Sequence, residues 1–169
     1  MVVLRYVLLV LLLLVAQTVY FNLGGAWAQY LAPQLLLLAA AFIGALFGPR
    51  VGLWAGVAIG ILEELCFVSP QMSLGPTPFV YMWCAYAAGQ LFGDRVDLES
   101  STVWILLSWG SLLFAALAAG GWILILHKTP FYWGGLNLRT LISYPLQGFI
   151  VGPLLFQLFL RARKDPSHE

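Results

Sequence analysis

Charge is what this sequence has least of. Its 169 residues include eight Lys and Arg and seven Asp and Glu, so 9% are charged, while 62% are hydrophobic. A soluble domain carries about 25% charged and about 45–50% apolar residues. So few charges cannot cover a water-facing surface, which excludes an ordinary cytosolic domain, a disordered chain and a nucleic-acid binder. The net charge of +1 points to no charged partner. Histidine is nearly missing as well: there are only two, His127 in a loop region and His168 in the tail. No histidine therefore stands inside an apolar stretch to serve a serine nucleophile. An HExxH metal cluster, a phosphate-binding glycine loop and a dinucleotide fingerprint are all missing. Catalytic, cofactor-binding and metal-binding residues are accordingly expected to be none, and the chain is read as a non-enzyme. The only cysteines, Cys66 and Cys84, lack CxxC spacing. They read as small buried residues, with a disulfide as the alternative because both fall near one hairpin.

What the sequence has in abundance is uninterrupted apolar chain. Residues 6–49, 65–93, 100–126 and 140–160 contain no Asp, Glu, Lys or Arg. A membrane-crossing helix needs roughly 20 such residues. The runs are continuous and do not alternate every second residue, which argues against an outer-membrane barrel. The expected fold is an all-α integral membrane protein, a six-transmembrane-helix bundle forming one domain over 1–160, with a charged cytoplasmic tail at 161–169.

Turn signals place the spans at about 4–21, 31–47, 51–68, 79–93, 101–126 and 139–160. Asn22 to Gly25 ends the first, which reads as a retained span rather than a signal peptide because its apolar stretch is long and the Ala26-Trp27-Ala28 triplet lies well beyond it. Pro33 suits the first turn of the second helix. Gly48-Pro49-Arg50 forms a tight turn, since proline cannot extend the preceding helix. A re-entrant pair is the alternative for 31–68. Residues 69–78, with three prolines, read as a loop. Ser100 or Ser101 caps the fifth helix. Pro145 and Pro153 should kink the sixth. With the N-terminus inside, Arg5, Arg50, Arg95, Arg161, Arg163 and Lys164 face the cytoplasm, and Lys128 and Arg139 face out. This fits the positive-inside rule and places both termini in the cytoplasm.

Two features inside the spans invite a role. Glu63 and Glu64 are the only acidic residues within a span, some three turns beyond Arg50. A charge at bilayer depth is costly and needs a reason. The readings are solvated carboxylates at a helix end, hydrogen bonds to another span or to a loop backbone, or a transport or proton-relay site. Because neighbours on a helix point about 100° apart, the two acids are expected to face different surroundings. On the same helix Gly52, Gly56 and Gly60 recur every fourth residue, and Glu64 continues the row. Such spacing lets another helix approach backbone to backbone, within this protein or from a partner. Outside the spans, Phe131, Tyr132 and Trp133 read as an interface anchor or a partner-contact surface.

These residues carry a family resemblance. The glycine-rich stretch from Gly48 to Leu65 ends in acidic residues. It is followed by Leu74-Gly75 within Ser73–Phe79, and then by Tyr86-Ala87-Ala88-Gly89. With Ala32-Pro33-Gln34-Leu35 before it and Pro153-Leu154-Leu155-Phe156 near the end, the chain resembles the rod shape-determining MreD family along most of its length. The family more often has aspartate where Glu63-Glu64 stand. The resemblance implies a non-enzymatic membrane scaffold of the bacterial cell-elongation machinery in the plasma membrane. It implies binding to MreC, through its transmembrane helix and its periplasmic domain, alongside MreB, RodA and a penicillin-binding transpeptidase, and so a part in positioning or regulating peptidoglycan synthesis. It implies membrane lipid as surroundings and no nucleic acid. It also implies a fold similar to the substrate-binding subunits of energy-coupling-factor transporters. The competing expectation follows from that likeness: a small-molecule-binding subunit of a vitamin-type transporter, using Glu63, Glu64 and Tyr81 with the 69–78 loop as a lid.

Overall fold

The computed structural model describes residues 2–23, 34–67, 76–93, 100–127 and 138–163. Among them are six helices and no strand: α1 (Val2–Leu23), α2 (Leu35–Phe47), α3 (Pro49–Cys66), α4 (Pro76–Phe92), α5 (Ser101–His127) and α6 (Leu138–Arg163). Leucine and alanine, both strong helix formers, fill much of α1, α2 and α5. By length and composition α1 is able to cross a membrane over Val3–Tyr20.

α2 is the centre of the bundle. Its sequence is almost entirely leucine and alanine, and every residue from Leu35 to Leu46 is buried. A helix that is apolar all round has no solvent face to present and belongs inside. It packs against each of the other five helices. At 13 residues it rises only about 20 Å, short of a full bilayer core. Phe42 at its middle meets Trp104 of α5 with ring centroids 5.4 Å apart, and Phe156 and Phe159 of α6 at 6.3 and 6.0 Å. Trp104 also stacks on Phe156. This aromatic cluster ties the late helices to the central one, and such pairs add to the area they bury.

The turn between α2 and α3 is tighter than the expected Gly-Pro-Arg turn. Gly48 alone makes it, with φ +89°, a conformation that only glycine adopts without strain. Its N–H donates to the Gly44 carbonyl and its own carbonyl accepts from Gly52 N–H, so one residue ends α2 and begins α3. Pro49 is already the first helical residue, where its missing N–H has no partner to lose. α4 likewise begins earlier than the expected loop boundary, at Pro76. Pro76 and Pro78 both fall in its first turn, where proline is tolerated. α5 takes in His127, and α6 runs unbroken through Pro145 and Pro153.

The helices alternate in direction. Tyr6 near the start of α1 donates its hydroxyl to the Phe159 carbonyl near the end of α6 and meets Phe47 at the end of α2. The beginning of α1 and the end of α6 thus share one end of the bundle. At the other end gather the C-terminal parts of α1 and α3 and the N-termini of α2 and α4.

Candidate functional site

That second end holds the polar groups. Gln17, in the last third of α1, is 2% exposed, and its amide serves two helices at once. Its Nε2 donates to Glu63 Oε1 at 3.1 Å, while its Oε1 accepts from the Leu36 N–H at 3.3 Å. Leu36 is the second residue of α2, so its N–H is one of the donors a helix N-terminus leaves unpaired. The Tyr81 side chain, one turn into α4, also hydrogen-bonds the Glu63 carboxyl. Glu63 Oε2 is buried and has no hydrogen-bond partner among the described residues.

Glu64 serves a different helix. Its Oε1 accepts from Thr77 N–H at 3.0 Å, the second residue of α4, and so caps that helix from across the α3–α4 connection. A carboxylate at a helix N-terminus meets both an unpaired donor and the positive end of the helix dipole. The two adjacent glutamates therefore look in different directions. Glu63 turns toward α1 and α4, and Glu64 toward the start of α4. Together with Gln17 they tie α1, α2, α3 and α4 at one level.

The glycine row stands beside this cluster and faces α4. A Cβ at Gly52 would lie 2.6 Å from the Ala85 carbonyl oxygen and one at Gly56 2.5 Å from that of Tyr81. At Gly60 it would lie 2.5 Å from the Pro78 Cα. The Gly44 position on α2 is pressed against the same Ala85 carbonyl. Three helices therefore meet backbone to backbone along α4. Gly52, Gly56 and Gly60 are buried inside the bundle, so this row is occupied by the chain's own α4 and is not a surface for a partner's helix.

The remaining candidates separate. Tyr86 lies on α4 away from the cluster. Its hydroxyl accepts from Gln90 Nε2 at 3.1 Å and its ring packs edge-on against Trp83. Gly75, Phe131, Tyr132 and Trp133 lie outside the described residues, as do Arg95 and the 161–169 tail beyond Arg163. Cys84 is buried and Cys66 exposed, and both are free thiols, so the disulfide reading is set aside. Among the described residues no group of three or more His, Cys, Asp or Glu is placed to hold a metal. Gln17 is the member that sequence reasoning passed over. Its signal was present: it is the one amide between Tyr6 and Tyr20.

Chemically the cluster is a set of hydrogen bonds joining helix ends, with one carboxyl oxygen left over. It has no nucleophile poised beside a base. Compared with known proteins, the chain matches no family model, no curated protein and no solved structure.

Proposed function

We propose that this chain is a six-span membrane protein of the MreD type, with both termini in the cytoplasm. In this reading it is a non-enzymatic scaffold that binds MreC and helps to position peptidoglycan synthesis during rod elongation. The observation that carries the reading is the disposition of its polar groups. Gln17, Glu63, Tyr81 and Glu64 are used on one another and on the first amides of α2 and α4. A tight small-molecule site needs several polar groups converging on a ligand; here they converge on the protein's own helix ends. This favours a rigid scaffold over the vitamin-transporter alternative.

Outward-facing residues support a bundle embedded in lipid on every side. Leu4, Leu8 and Leu12 on α1, Trp54 and Leu65 on α3, Leu91 on α4, Leu106 and Leu113 on α5, and Leu154 and Leu158 on α6 are all exposed. A water-soluble monomer rarely exposes apolar patches larger than a few hundred Å². The alternating helix directions suit six crossings with both ends on one side. The distribution of Arg and Lys puts that side in the cytoplasm.

The test is co-expression with an MreC protein from the same cell and purification of both in mild detergent through a tag on one. The expected result is a single complex that migrates together. Two well-expressed proteins that separate completely would remove the main support for a scaffold. Partner contacts are expected away from the buried glycine row, so Gly56→Leu should act by disrupting the fold of this chain. A Gly56→Leu variant that keeps its stability but loses the complex would contradict that assignment.

A further inference from the structure

Glu63 Oε2 is the loose end of the polar cluster. It is buried and has no hydrogen-bond partner among the described residues. An ionised carboxylate spreads its charge over both oxygens, so one bare buried oxygen leaves charge without solvation. Buried charges are paired with an opposite charge or neutralised. No opposite charge stands within reach on the helices around Glu63. α3 packs on α2 and α4, and neither of those carries an Asp, Glu, Lys, Arg or His. On α1 the only charged residue is Arg5, about 18 Å along the helix from Gln17. Arg50, on α3 itself, is about 20 Å along the helix from Glu63.

The titratable groups that do stand beside Glu63 bring no positive charge. Tyr81 meets its carboxyl with a hydroxyl, and Glu64 is a second acid. Glu64 has its own reason to be ionised, because it accepts Thr77 N–H at the positive end of the α4 dipole. A second negative charge next to it is disfavoured. The hydrogen bonds also say which Glu63 oxygen takes the proton. Leu36 N–H can only donate, so the Gln17 carbonyl oxygen faces it. The Gln17 amide nitrogen then faces Glu63, and the oxygen it meets, Oε1, must accept. Oε2 is left to carry hydrogen, and a neutral O–H without a partner costs far less than a bare charge. We propose that Glu63 is a proton-binding site, a neutral carboxylic acid with its proton on Oε2 at neutral pH, while its neighbour Glu64 is a carboxylate. The two acids then divide the work: an uncharged one joins α1 to α3 and α4, and a charged one caps α4. The assignment holds whether or not the chain binds MreC.

Infrared spectroscopy tests this, because a protonated carboxyl absorbs in a C=O stretching band that a carboxylate lacks. The full chain is made with a heavy carbon isotope at the glutamate side-chain carboxyls and measured in lipid vesicles at neutral pH. The isotope shift isolates four groups, Glu63, Glu64, Glu99 and Glu169. One protonated carboxyl among the four is expected. Glu63→Gln should cut that band at least fivefold, and Glu64→Gln should leave it unchanged. A wild-type chain with no protonated glutamate band overturns the proposal. So does a band that survives Glu63→Gln, and so does one that Glu64→Gln removes. Should Glu63→Gln fail to fold, the Glu64→Gln/Glu99→Gln chain decides: it must keep the whole band, and a band lost there counts against Glu63 as the site. The readout needs no partner protein, so a missing band and a missing complex with MreC are separate results.

Discussion

Replacing Gly56 by alanine adds a single methyl group where α3 and α4 touch through their backbones. That methyl carbon would stand 2.5 Å from the Tyr81 carbonyl oxygen, 2.7 Å from its carbon and 2.8 Å from the Met82 Cα. All three are main-chain atoms of a helix, so none can swing aside; the helices must separate by most of an ångström. Overpacking of this kind costs about 1–3 kcal/mol. Alanine returns roughly 0.5–1 kcal/mol through its better helix propensity, which leaves a net loss of up to about 2.5 kcal/mol. Gly110 on α5 is the control, because a Cβ there meets nothing within 4 Å. Gly110→Ala should keep the propensity gain and be neutral or slightly stabilising. Unfolding by sodium dodecyl sulfate in mixed micelles, followed by far-ultraviolet circular dichroism, measures both. Gly56→Ala as stable as Gly110→Ala would refute backbone contact between α3 and α4 at this position.

Three further outcomes follow from the polar cluster and the α5–α6 contact. Gln17→Leu strands the Leu36 N–H, at about 1–3 kcal/mol for a buried group left unpaired, and removes one hydrogen-bond donor from Glu63 Oε1. The same unfolding assay should show the Gln17→Leu/Glu63→Leu double variant losing less than the sum of its two single losses. Gln at positions 63 and 64 should be tolerated better than Lys, in protein yield and in support of rod shape, since Gln still accepts a hydrogen bond and Lys offers no acceptor. Equal loss with Gln and Lys would show that the carboxylate itself is required. At the α5–α6 contact a methyl group on Gly152 would run into Ser108 Oγ, a hydroxyl buried without a hydrogen-bond partner among the described residues. Gly152→Ala should therefore lower thermal stability in detergent, and Ser108→Ala added to it should restore most of the loss.

The elements that sequence made legible are those governed by local chemistry. Gly48 and Pro49 announce a break between α2 and α3, because one tolerates positive φ and the other suits a helix start. The four-residue spacing of Gly52, Gly56 and Gly60 announces a close backbone approach. Spacing within one helix says nothing about what comes close, however, so the identity of α4 as the neighbour needed the tertiary structure. The same holds for the acids. That Glu63 and Glu64 point apart follows from helix geometry, but their partners lie 46 and 13 residues away in sequence, at Gln17 and Thr77. Gln17 itself stood out in an apolar run, yet an isolated amide carries no sign of the two helices it joins. The start of α4 at Pro76 was obscured for a related reason: three prolines in ten residues look like a loop, and only the distant Glu64 cap reveals a helix start.

The central claim is that the chain holds other proteins in place in the membrane and binds no nutrient. Depleting it in its own cell, with growth and shape followed by microscopy, addresses that claim most directly. The account predicts that rods widen and round up, and that wild-type chain supplied in trans restores them. Cells that stay rod-shaped but stop taking up a vitamin from the medium would contradict it.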